Sequence, residues 1–493
     1  MPEQSKSYNQ ILRSTLVVGG ASALNILIGL LKVKVLALLL GPSGVGLVGL
    51  FTSILTTSST LAGCGLSNSG VRQLAAAGDD VEVLSITRRT LWYANFVLGL
   101  LGMILLLMLR KLVAKWVFGS TTYADEVGWL GLGVLLTLVA SSQTTLLQGL
   151  RRIREFVFVS VLGMLASTFA GIAAVYWFGE SGVLWFILAA PAASIGIGVY
   201  FTAKLPSSKH ESFKWSVFVK QLQTMLSFGL VFMTTGLMTS LTQLAVRSLV
   251  SRDMGLDTSG QFHAAWSISM TYIGFVLNAM GTDYYPRLTN IIEDHKLVNN
   301  LVNKQTEVSL LLAGPFFLGM LTFSPFIISV LYSTKFSMAA EVLRWQVLGD
   351  ILKVATFPMS FVLIAGGIGS KYFLTELIWN ITYLAIIYLG LPYLGLNSTG
   401  IAFFISYCIY FLCTYYFVHC SNDFYWSSFN FKLGFCLLIS GCILFVFTSR
   451  FPFTGKLLGI LMTLALTYFS LRTLTEQDSI ANSMKNLIKK LKG

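Results

Sequence analysis

GPSGVG (residues 41–46) follows one apolar run and precedes another, and GLDTSG (255–260) does the same 214 residues later. A second pair keeps that spacing: VFGSTTYADEV (117–127) is echoed by LYSTKFSMAAEV (331–342). Two pairs at one offset indicate an internal duplication, with apolar runs 1–6 as one copy and 7–12 as the other. Six runs are an even number, so the copies are expected to lie parallel rather than inverted. Two lobes with a cleft between them follow from that arrangement.

Working outward from the motifs, apolar runs of the roughly 20 residues needed to cross a bilayer recur from Thr15 to Leu471. Soluble domains carry about 25% charged residues. This chain of 493 residues carries 11% and is 55% hydrophobic. The first copy has expected spans near 15–40, 45–66, 90–109, 127–149, 156–178 and 182–203. The second has them near 222–248, 260–282, 307–332, 341–365, 372–391 and 398–418, with two more at 433–449 and 456–471. Lipid offers backbone groups no partner, so runs this apolar must be helices. The sequence therefore predicts an all-α polytopic membrane protein of about 14 transmembrane helices. Its parts are an N-lobe (1–205, helices 1–6), a cytoplasmic linker (206–220), a C-lobe (221–420, helices 7–12) and a C-terminal region (421–493) with helices 13–14 and a basic amphipathic tail.

The net charge of +13 does not point to nucleic acid, because Lys and Arg gather in alternate connections such as 88–89, 151–154 and 204–220. By the positive-inside rule those connections, and both termini, are cytoplasmic. The start resembles a signal peptide in having Lys6 and Arg13 before Ala21-Ser22-Ala23, but its apolar run continues to Leu40, too long for one. In the tail, Ile480, Met484, Leu487 and Leu491 share a helical face and lysines cover the remainder, a pattern suited to an anionic leaflet. The six cysteines match no zinc spacing and read as inert thiols. No metal site, cofactor motif or ATP-binding loop is expected, so energy must come from an ion gradient, the membrane potential or the substrate gradient.

Polar residues sort onto stripes within the spans. Asn25 and Lys32 share a face of span 1, and Gln243 and Arg247 a face of span 7. His263 lies on span 8, Gln346, Asp350 and Lys353 on span 10, and Glu376, Asn380 and Tyr383 on span 11. Each ionised group in mid-span costs roughly 2.5–3.5 kcal/mol, so such stripes describe a hydrated cavity. Lys34 points away from Lys32 and has snorkelling as its alternative reading. Spans 1–6 contain no Asp or Glu at all. Lys32, Lys34, Arg247 and Lys353 thus make the cavity attractive to anions, while Trp266, Trp345 and Tyr383 are candidates for stacking on sugars. Asp350 and Lys353, at i and i+3, are expected to pair.

LGPSGVGLVG (40–49) and STKFSMAAEVLRWQVLGDILKVATF (333–357), together with Arg247 and Trp266, resemble Wzx-type flippases of the MOP superfamily over roughly residues 10–420. The resemblance implies twelve core helices in two six-helix lobes enclosing a V-shaped cavity of MATE-like form. It implies transfer of an undecaprenyl-pyrophosphate-linked oligosaccharide, an O-antigen or enterobacterial common antigen repeat unit, across the bacterial inner membrane by alternating access. Membrane lipids, a coupling proton or sodium ion, a polysaccharide polymerase and a chain-length regulator are the partners it suggests. Pyrophosphate competing for Lys353 would link proton uptake at Asp350, or at Glu376, to substrate binding. Spans 13–14 depart from the twelve-span pattern and match the fourteen of lipid II flippases. A drug or cation antiporter of this fold would need a carboxylate in the N-lobe cavity, within spans 1–6, and a membrane glycan polymerase or ligase would need a large outer loop. Neither is present in this sequence.

Overall fold

The computed structural model describes the backbone of residues 2–78, 80–205 and 215–491. Side chains are described between 19 and 476, except at 79, 81, 206–214, 217, 231, 278–279 and 282–283. The amphipathic face expected for 479–493 and most of the 206–220 linker lie outside the described residues.

The chain is all-helical. Its helices are α1 (Pro2–Gly63), α2 (Leu66–Ala77), α3 (Val81–Phe118), α4 (Ala124–Gly149), α5 (Ile153–Phe178), α6 (Gly182–Thr202) and α7 (Trp215–Thr289). They continue as α8 (His295–Leu331), α9 (Ser337–Ala365), α10 (Gly369–Leu394), α11 (Asn397–Asn422), α12 (Ser428–Arg450) and α13 (Pro452–Leu491). Three continuous apolar stretches, Gly19–Gly63, Ile153–Thr202 and the bent pair within 218–277, each hold two of the expected spans. With the eight single ones they make up the fourteen. The outer face of α3 bears Leu101, Leu105, Met108 and Leu112 at 51–77% exposure, an arrangement that only a lipid surrounding makes favourable.

α1 and α7 break at the glycine that begins each repeated motif: Gly41 has φ 66° and Gly255 has φ 86°. Pro42 reinforces the first break, because the residue before a proline is driven out of the helical region. The second rests on glycine alone. The short α2 was not expected; it buries only Leu66, Ser69, Gly70 and Leu74, and at 12 residues it is too short to cross a bilayer.

By contacts the chain forms two compact units, Met1–His263 with Leu331–Lys335, and Ala264–Val330 with Phe336–Gly493. The first unit packs Leu50, Phe51 and Ile54 of α1 against Val117, Val127 and Leu130 of α3–α4 and Phe186 of α6. Phe51 meets Phe118 and Tyr123 edge-on at 5.8 and 6.0 Å. Within this unit the two motifs touch backbone to backbone. A Cβ at Gly260 would fall 1.9 Å from the Pro42 carbonyl oxygen, and one at Gly46 would fall 2.3 Å from that of Leu256. In the turn after α1, Gly65 approaches Gly229, on the half of α7 before its break, as closely, a Cβ at Gly65 meeting the Gly229 oxygen at 2.0 Å. Small residues let helices approach to dispersion contact where lipid removes any hydrophobic drive.

The second unit has its own core of Tyr284, Val298, Val302, Met359, Val362 and Phe424. Its last two helices are integral to it. The buried Arg344 of α9 donates to Ser324 Oγ of α8 (2.9 Å) and Ser449 Oγ of α12 (3.1 Å). Near the other end of these helices, Asn430 Nδ2 donates to the Asn303 backbone oxygen at 2.8 Å. All six cysteines are unpaired thiols.

Candidate functional site

In the first unit, Arg247 is 7% exposed and sits late on the first half of α7. Its Nη1 donates to the Gly49 carbonyl at 3.1 Å and to Ser53 Oγ, both on α1 beyond the Gly41 break. His263 lies against the same point: a Cβ at Gly49 would be 2.8 Å from its Nδ1. Gly49 thus lets an arginine read its carbonyl while an imidazole packs on its face. One turn before Arg247, the Gln243 amide has no hydrogen-bond partner at either end among the described residues. A buried amide of that kind is costly unless something polar meets it.

The other basic groups of this unit are placed differently. Lys32 Nζ lies 4.1 Å from the centroid of the Phe186 ring, a cation–π contact with no hydrogen bond or ion pair among the described residues. Lys34 Nζ donates to the Tyr332 carbonyl at 2.7 Å. Asn25 Nδ2 donates to Ser160 Oγ at 2.8 Å. Arg247 and His263 are therefore brought together by Gly49, while Lys32, Lys34 and Asn25 each meet a different element.

In the second unit, Asp350 is fully buried. Its Oδ2 accepts from Ser269 Oγ at 2.7 Å and from the Tyr272 hydroxyl, both on α7. No ion pair joins it to Lys353 among the described residues; the lysine Nζ instead lies 3.7 Å from Met270 Sδ and 5.5 Å from the Tyr407 ring centroid. A second carboxylate of this unit, the half-buried Glu376, lies on α10. Glu376 Oε1 in turn accepts from Tyr410 at 2.8 Å. Each of the two carboxylates is thus capped by a tyrosine from another stretch of chain. Asn380 is turned back onto its own helix, donating to the Glu376 carbonyl at 2.8 Å, and the Gln346 amide, fully buried, has no partner among the described residues.

Aromatic rings line up behind this cluster. Trp266 stacks on Tyr383 at 6.3 Å, and Tyr383 on Trp379 at 5.0 Å, with Phe403 set edge-on to all three. Trp345 stands apart, packed on Phe404 and Phe445 at 6.1 and 4.6 Å. The sequence did not single out Ser53, Ser269, Tyr272, Trp379 or Tyr410. Ser269 and Tyr272 lie three apart on α7, on the same span as His263.

A family of polysaccharide biosynthesis proteins matches residues 35–341. The chain is 25% identical over 371 residues to the lipid III flippase of Escherichia coli (strain K12), which covers 74% of this chain and 86% of that protein. The Shigella flexneri lipid III flippase gives the same figures. Among solved structures, the lipid II flippase MurJ in an inward closed conformation superposes with a TM-score of 0.70 at 16% identity, over 94% of this chain and all of that one. An inward-facing multidrug resistance MATE family transporter of the MOP superfamily gives 0.63 at 17% identity, over 80% of this chain and 95% of that one.

Proposed function

Because the chain belongs to the polysaccharide biosynthesis protein family and has the MOP transporter fold, we propose that it moves a lipid-linked oligosaccharide from the cytoplasmic to the periplasmic leaflet of a bacterial inner membrane. The carrier lipid in this reading is undecaprenyl pyrophosphate. It is a transporter of Wzx type, not an enzyme, and its chemistry is recognition and release of an anionic headgroup. The observation that carries the reading is an imbalance of charge. Lys32, Lys34 and Arg247 lie within apolar helical stretches, while the acids of the helices that make up the first six spans (Glu82, Asp125, Glu126, Glu155 and Glu180) sit at helix ends. Cations in an apolar span are expensive, and a pyrophosphate would offer them charge-assisted bonds.

Arg247, positioned by Gly49 and Ser53, is the proposed principal headgroup contact, with Gln243 one turn away; Lys32 and Lys34 add positive potential. The stacked Trp266, Tyr383 and Trp379 of the second unit suit the apolar faces of sugars. Asp350, Lys353 and Glu376 form the proposed coupling group, with a proton or sodium as the coupling ion. The E. coli relative is a lipid III flippase, which favours an enterobacterial common antigen unit over an O-antigen unit. A second reading, lipid II transport, is favoured by the full coverage of the MurJ structure. Complementation separates them. The gene should restore growth and surface glycan to a strain lacking its lipid III flippase, and not to one lacking its lipid II flippase. Rescue of the second strain alone would overturn the assignment.

A further inference from the structure

Arg344, in the second unit, is a buried cation held by hydroxyls alone. It lies on α9 seven residues after Ser337, roughly 10 Å from the helix start at a rise of 1.5 Å per residue. Its Nε and Nη1 donate to Ser324 Oγ and Ser449 Oγ, and its Nη2 has no hydrogen-bond partner among the described residues. Glu341, one turn earlier on α9, is exposed and forms no ion pair with it among the described residues. Neutral hydroxyls orient a guanidinium without offsetting its charge, and a charge taken out of water is costly until an opposite one meets it.

Two more cations gather at the same place. Ser449, which Arg344 touches, is followed by Arg450, the last residue of α12. Gly455 of α13 lies so close to α12 that an added Cβ would be 2.7 Å from the Phe447 carbonyl oxygen. That approach brings the start of α13, with Lys456, onto the last turns of α12. Arg450 and Lys456 are both exposed, α12 carries no Asp or Glu, and α13 carries none before Glu476. Around them Phe447, Phe451, Phe453 and Leu457 present exposed apolar surface. Positive charge ringed by apolar side chains at a helix end is the setting in which lipid headgroups bind.

We propose that Arg344, Arg450 and Lys456 form a seat for the phosphate of an anionic phospholipid, whose acyl chains lie along the exposed apolar faces of α12 and α13. A guanidinium held at Nε and Nη1 still has Nη2 to offer, and its bonds to phosphate are stronger than those to a hydroxyl. A zwitterionic headgroup would bring its own ammonium into a cluster of three cations, and free phosphate has no chains to cover the rings. The seat lies at the end of these helices that the positive-inside rule assigns to the periplasm. It gives spans 13–14 a task of their own, fastening the second unit to the lipid of that leaflet. The inference goes beyond the flippase reading and does not depend on it.

The test is thermal unfolding of the full-length, delipidated protein in neutral detergent micelles doped with phosphatidylglycerol or with phosphatidylcholine. Phosphatidylglycerol should raise the melting temperature of the parent by several degrees, and phosphatidylcholine and millimolar inorganic phosphate should not. Arg344→Gln should lose that shift. It also strands Ser324 and Ser449, so the double variant Arg450→Gln with Lys456→Gln, which removes two exposed charges and leaves the core intact, carries the decision if Arg344→Gln does not fold. The double variant should lose most of the shift. Lys111→Gln with Lys115→Gln removes the same charge from exposed positions of the first unit and should keep the shift in full. Equal effects of the two lipids on the parent would overturn the seat, and so would equal shifts in the two double variants. A shift from inorganic phosphate as large as that from phosphatidylglycerol would overturn the phospholipid as its occupant.

Discussion

Asp350 concentrates what a single residue can do in this protein. Sequence spacing pairs it with Lys353, and the fold gives its Oδ2 to Ser269 and Tyr272 instead. The reason is geometric: two side chains three apart on one helix can meet only if nothing better placed faces them, and α7 brings two hydroxyls to that spot. Those partners lie about 80 residues upstream, and one sequence contains no sign of which faces of two helices will meet. Asp350→Asn preserves an oxygen for both hydroxyls while deleting the charge. The variant should fold, bind substrate, and lose the response of flipping to an imposed pH gradient in proteoliposomes. An unchanged response would make Asp350 a structural counter-charge for Lys353. Asp350→Leu, by contrast, strands the Ser269 and Tyr272 hydroxyls and should cost about 3 kcal/mol of stability.

At the scale of elements, the spans were legible because lipid leaves so little freedom: apolar length alone marks where helices must run. The breaks at Gly41 and Gly255 were legible as motifs, though not as sites where the two motifs would meet. Trp345 illustrates the limit. Its neighbourhood in the sequence suggested a sugar platform, but Gly400 lets α11 come so close that a Cβ there would be 2.6 Å from the Trp345 Cβ. The ring consequently packs between Phe404 and Phe445. The Gly260 crossing gives a test at this scale. Gly260→Ala drives a methyl into the Pro42 carbonyl, a backbone atom that cannot rotate away, and should cost about 1–3 kcal/mol. It should lower the melting temperature in detergent by several degrees. Gly274→Ala, with nothing within 4 Å of the added carbon, is the matched control and should leave it unchanged or raise it slightly.

For the molecule as a whole, an even number of spans would put both termini on one side, and by the positive-inside rule the expected side is the cytoplasm. A green fluorescent protein fused after Gly493 should therefore fluoresce, whereas an alkaline phosphatase fused there should be inactive. The reverse pattern would overturn the orientation. The candidate site was legible in kind but not in arrangement. The stripes showed which helices carry polar groups, because each stripe is a property of one helix. That Arg247 meets Gly49, or that Glu376 meets Tyr410, is a property of two.

The glycine crossing at 46/260 carries one more consequence, and it concerns friction. Helices that pack by side-chain ridges in grooves must unseat those ridges to slide, and close-packed interiors resist that. Where bare backbone rests on bare backbone there is little to unseat, so the pair can roll about the crossing as on a bearing. Resistance to such rolling then comes chiefly from the surrounding acyl chains. Turnover is expected to follow the fluidity of the bilayer, and transport rates in lipids of graded melting temperature would show a sharp drop at each lipid's own transition instead of at one temperature set by the protein.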